Sequence, residues 1–175
     1  MLVSTIDIIE QADKFFEVAL YSIGPDYNDG FYVGEKITDE ELEKYLFPKE
    51  EVTAIVNCAF SCELYMKSML NKGNVVWGHK LDDLFNQLED SWKNMIIRLM
   101  GYESAVFYYF LNQSSDAFER WRYIYEREDK ERRIYFVFLK KFTVILKKVA
   151  YGKYHHGKDF IEKLGEEMIE ELTNR

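Results

Sequence analysis

Apolar side chains recur at three- and four-residue spacing along most of this chain, a pattern that predicts helices almost throughout. The longest uninterrupted stretch runs from Val52 to Leu70. It contains no Gly or Pro and places Val52, Ile55, Val56, Ala59, Phe60, Leu64, Met66 and Leu70 on one stripe. Pro48, just ahead, suits a first helical turn, where its missing N–H has no intrahelical partner to lose. Asn71 to Asn74 stops the helix, with Gly73 the natural left-handed cap residue. A short apolar bridge (Val75, Val76, Trp77) then leads to Gly78-His79. These open a helix predicted over 79–89 on Leu81, Leu84, Phe85 and Leu88.

The same reading covers the rest. Ser4 and Asp7 form a capping-box-like start to a helix ending near Ser22. Turn residues predict a loop over 23–37, and Thr38 with Glu41 opens a short acidic helix to about Phe47. Asp90 or Ser91 is placed to cap a segment holding Trp92, Met95, Ile96, Leu99 and Met100, which Gly101 ends. The aromatic run 105–111 is read as helix from its surroundings, 112–116 as a turn, and 117–126 as helix. Arg133 to Tyr151 is amphipathic, with Tyr135, Phe138, Leu139, Phe142, Ile145, Leu146 and Val149 on one side. Gly157 separates it from a last helix over 158–173. The expectation is an all-α, single-domain helical bundle spanning 1–175.

Composition sharpens this. At 175 residues with 47% apolar and 31% charged side chains and two prolines, the chain can bury one substantial core. Thirteen Tyr, thirteen Phe and three Trp are too many for the core alone, so some are expected at a groove or interface. Cys58 and Cys62, one helical turn apart, read as small buried packing residues in a reducing, cytoplasmic compartment. No cationic leader and no apolar run of membrane-spanning length is seen, so no membrane association is expected.

Charge is unevenly spread within the net −8. Residues 1–51 carry 4 basic and 13 acidic side chains, whereas 119–158 carry 12 basic and 5 acidic. A basic segment in an acidic protein either contacts a polyanion or docks the acidic parts of its own fold.

Familiar catalytic signatures are missing: no Gly-rich phosphate loop, no HExxH, no paired CxxC. His155-His156 reads as a solvated helix end. No metal site and no cofactor is predicted. What stands out is Glu63 and Lys67, an acid–base pair at i,i+4 on or beside the apolar stripe, in the favoured order. They are either a structural pair or part of a polar pocket, and His79 carries the same ambiguity. Arg120, Arg122, Tyr123 and Glu126 are the natural further members of such a cluster, Arg122 and Glu126 again being four apart.

Three stretches together, S-C-E-L-Y-M-K-S-M-L (61–70), G-H-K-L-D-D-L-F (78–85) and F-E-R-W-R-Y-I-Y-E (118–126), followed by a long basic helix, resemble the HEPN superfamily. The resemblance covers about 48–150 in the right order, leaving acidic helices over 1–47 and the helix over 158–173 outside. It implies a four- to five-helix bundle, often a homodimer, of prokaryotic defence or toxin–antitoxin systems. RNA or a nucleotide, and a partner protein such as a nucleotidyltransferase or antitoxin, are the partners it implies. Many members are metal-independent RNases with an Arg-x(4–6)-His motif, the Arg steadying the scissile phosphate and the His moving a proton. Arg120 and Arg122 occupy the place of the motif's Arg, but no His follows either at that distance. No catalytic residue is therefore assigned by resemblance, and a non-catalytic dimerisation or protein-interaction module is the alternative expectation.

Overall fold

A reciprocal pair of hydrogen bonds starts the first helix. Ser4 N donates to Asp7 Oδ2 and Asp7 N to Ser4 Oγ, both at 3.2 Å, the capping box expected from the sequence. A computed structural model of the chain describes residues 4–23, 52–70, 76–122, 136–161 and 163–164. Among these residues the structure is helical with no strand. Its helices are α1 (Thr5–Ile23), α2 (Val52–Leu70), α3 (Leu81–Asn86), α4 (Asp90–Met100), α5 (Ser104–Ser114), α6 (Ala117–Arg122) and α7 (Phe136–His156). The expected acidic helix ending at Phe47, the Pro48 start, the Gly73 cap and most of the last helix lie outside the described residues.

The chain is an all-α helical bundle with one continuous core, and α2 is its central element. It packs against α1 on one side, α7 on another, and the short α3 and α6. Close approach to α1 follows from small residues: Ala12 and Ala19 of α1 and Ala54, Cys58, Ala59 and Ser61 of α2 are fully buried. Ser61 Oγ donates to the Ala12 carbonyl at 2.8 Å, so its hydroxyl is satisfied inside the interface. Toward α7, the Cys62 thiol lies 3.0 Å from Thr143 Oγ1, whose own hydroxyl donates to the Leu139 carbonyl. Both cysteines are free and buried. Burial pushes the Cys58 thiol up to about 12 and Cys62 well above its ordinary value, so both behave as packing groups rather than nucleophiles.

The far side of α7 meets an aromatic layer. Phe138 packs among Tyr102, Phe107, Phe110 and Phe142, which explains part of the aromatic excess as core. Others lie at the surface: Tyr21 is 90% and Trp77 82% exposed. Gly101 ends α4 in the left-handed conformation (φ 72°), as its position predicts. Helix α7 continues past the expected Tyr151 to His156. Gly152 allows Phe160 to fold back onto that last turn, since a Cβ there would lie 2.3 Å from the Phe160 ring.

Three expectations are corrected. Asn112 to Ser114, expected as turn, form the last residues of α5, and the turn is confined to 115–116. The helix expected over 79–89 is only α3, because Gly78 (φ 103°) and the extended Lys80 hold residues 76–80 outside it. Its start is secured by Ser115: Leu81 N donates to the Ser115 carbonyl at 2.9 Å and Asp82 N to Ser115 Oγ at 3.3 Å. At α4 neither Asp90 nor Ser91 is the cap; Glu89 takes that position and Asp90 is the first helical residue.

A polar network joins α1, α2 and α7 at the margin of the core. Asp13 accepts hydrogen bonds from Tyr65 Oη and, at 2.7 Å, from Tyr151 Oη, and it pairs with Lys147 Nζ at 3.0 Å. Partial burial pushes the Asp13 carboxyl up, but the bonds from Tyr65, Tyr151 and Lys147 outweigh it and hold it below its ordinary 3.8. Its contribution is therefore present above pH 3.8 and lost as pH falls through the lower folded value. The bond to Asp13, then burial, raises the Tyr151 phenol to about 12, so its contribution is full below pH 10 and lost as pH rises toward 12. Tyr151→Phe should flatten the loss of stability between pH 10 and 12 in a series of thermal melts. An unchanged alkaline limb would mean that Tyr151 contributes nothing there. Asp13→Asn should cost about 1–2 kcal/mol at neutral pH, because a charge-assisted set becomes neutral.

Candidate functional site: a buried glutamate holding a half-exposed histidine

Glu63 lies on the buried side of α2 and is 1% exposed. A carboxylate so placed requires partners, because desolvation costs several kcal/mol. Lys67, one turn on, brings Nζ to 2.7 Å from Oε1; the i,i+4 spacing makes this contact local to the helix. The second partner comes from outside it. His79 Nδ1 lies 2.9 Å from the same Oε1, and its side chain is 49% exposed. The carboxylate accepts, so Nδ1 carries the hydrogen; in the neutral form of the ring this leaves the lone pair on Nε2. Glu63 Oε2 is buried and has no hydrogen-bond partner among the described residues.

The chain geometry fixes this arrangement. Gly78 adopts φ 103°, a value L side chains rarely accept, immediately before His79. Two residues after His79, the start of α3 is bonded to Ser115. An aromatic wall stands beside the imidazole. Its centroid is 6.0 Å from Phe118 of α6, which stacks on Phe60 of α2 at 4.6 Å, and Phe60 meets Phe15 of α1 edge-on at 4.5 Å. The exposed Trp77 precedes His79 by two residues.

Of the expected cluster, the structure thus brings Glu63, Lys67 and His79 into contact. Arg120 and Arg122 belong to α6, the helix that also carries Phe118. Their side chains lie outside the described residues, as do Tyr123 and Glu126 entirely. The α7 lysines do not form one solvent-facing stripe. Lys141 is 6% exposed, with Nζ over the Tyr102 ring, Lys147 pairs with Asp13, and Lys153 Nζ donates to the Met69 carbonyl at the end of α2. Part of the basic segment is therefore spent inside the fold. His155 and His156 are exposed at the end of α7. Among the described residues no group of three or more His, Cys, Asp or Glu is placed to hold a metal ion, and no helix is long and apolar enough to cross a membrane.

The approach of Phe118 to His79, 39 residues apart, was not legible in the sequence; Phe60 was, three residues before Glu63 on one helix. Comparison of the chain with family models, curated proteins and solved structures gives no match.

Proposed function

We propose that this protein is a HEPN-like, RNA- or nucleotide-associated component of a prokaryotic defence or stress system. The observation that carries this reading is the Glu63–Lys67–His79 cluster: a buried carboxylate presents an imidazole and an ammonium group beside aromatic rings and beside the helix that bears Arg120 and Arg122. Nitrogen donors next to flat apolar surfaces suit a phosphate–base polymer, the donors for the backbone and the rings for the bases. The ordered motifs over 48–150 add the resemblance. A homodimer in the cytoplasm, with a nucleotidyltransferase- or antitoxin-like partner, fits the same reading.

Labelled single-stranded RNA and tRNA, incubated with the protein in EDTA at low and moderate salt, test it. Binding should weaken steeply with salt, and Arg122→Ala should lower affinity about tenfold, the worth of one charge-assisted phosphate contact. Salt-insensitive or undetectable binding would contradict the proposal. The exposure of Trp77 and Tyr21 favours the second reading, a non-catalytic helical interaction module, which then takes its place.

A further inference from the structure

We propose that His79 is a phosphoryl-acceptor residue, with Glu63 as its positioning residue. This goes beyond nucleic-acid association and does not depend on it. A phosphoryl acceptor needs a ring nitrogen with a free lone pair, access to solvent, and compensation for the positive charge the ring gains on attack. All three are present. Glu63 Oε1 takes the Nδ1 hydrogen at 2.9 Å, which leaves Nε2 as the nucleophilic nitrogen. The side chain of His79 is half exposed while that of Glu63 is 1% exposed, so the ring reaches solvent and its carboxylate partner is dry. Lys67, at 2.7 Å on the same oxygen, fixes the carboxylate in place. Gly78 and the Ser115-bonded start of α3 fix the backbone on either side. By contrast, His155 and His156 lie against the rings of Tyr151, Tyr154 and Phe160, with no carboxylate pairing among the described residues.

The donor class is an acyl phosphate, whose carboxylate leaving group departs without a proton. Nε2 attacks phosphorus, the N–P bond forms as the P–O bond to the acyl group breaks, and that electron pair leaves on the carboxylate. The ring, substituted at Nε2 and still protonated at Nδ1, is then a cation facing Glu63. The same carboxylate that selects the tautomer thus stabilises the product.

The full chain incubated with acetyl phosphate in EDTA should gain one phosphoryl group by intact mass. The bond should be acid-labile and alkali-stable, and should map to His79. His79→Gln should abolish uptake, and Glu63→Gln should slow it at least tenfold. Ring-nitrogen NMR of the unaltered protein supplies a readout that does not rely on the folding of Glu63→Gln: Nδ1 protonated and Nε2 bare is expected. No uptake, uptake at His155 or His156 instead, an undiminished rate in folded Glu63→Gln, or the opposite tautomer would each overturn the proposal.

Discussion

Phe138→Ala should destabilise the protein by about 3–5 kcal/mol, the largest effect expected of any single truncation in the aromatic layer. Phe138 is fully buried on α7, with ring centroids of Phe110 and Phe142 at 5.6 Å, Phe107 at 5.7 Å and Tyr102 at 6.0 Å. Losing the ring removes its transfer free energy and leaves a cavity between rigid rings that close in poorly. Phe138→Leu keeps most of the volume and should cost less than about 1.5 kcal/mol. Equilibrium unfolding in urea gives both numbers. A loss below about 1 kcal/mol for the alanine variant, at unchanged denaturant slope, would mean that this layer collapses freely and does not anchor α7.

Lys67→Met should cost about 2–3 kcal/mol, although the side chain that disappears is polar and apolar stem is retained. Lys67 is 17% exposed, so its own desolvation is modest; the damage falls on Glu63, whose buried Oε1 keeps only His79 among the described residues while Oε2 has no partner among them. An uncompensated buried charge is worse than none. The double variant Glu63→Leu with Lys67→Met should therefore recover most of the loss, giving a coupling energy of about 2 kcal/mol in a double-mutant cycle. Additive losses would show that the two residues do not act as a pair. If the double variant recovers stability yet loses ligand binding, the cluster is kept for function at a cost in stability.

What was legible in the sequence was local. The Ser4–Asp7 capping box, the Gly101 cap and the α7 face of Phe138, Leu139, Phe142, Ile145, Leu146 and Val149 all follow from neighbours within one or two turns. The α2 stripe is buried only at Ile55, Ala59 and Met66, because this central helix also buries Cys58, Cys62, Tyr65 and Met69. The Glu63–Lys67 pair was legible for the same reason. Contacts across the fold were not. Ser115 bonds the start of α3 from 33 residues away, so the sequence around 79–89 reads as a longer helix than forms. Asp13 meets Tyr65 and Tyr151 at separations of 52 and 138 residues, and nothing near Asp13 announces them. Lys141, within the basic segment, is buried with its ammonium over Tyr102, which its local spacing does not reveal. His79 stood between these cases: its position beside Gly78 was visible, its bond to Glu63 was not.

The central claim is that Glu63, Lys67 and His79 are a functional cluster and not only scaffolding. His79→Ala separates the two: Lys67 Nζ stays at 2.7 Å on the same Glu63 oxygen, so loss of the half-exposed ring should cost stability within about 1 kcal/mol. The measurement is RNA affinity and melting temperature on the same His79→Ala protein, beside the unaltered chain. A melting temperature within a few degrees together with an affinity about tenfold weaker is the predicted result. Unaltered affinity in a folded His79→Ala protein would contradict the account.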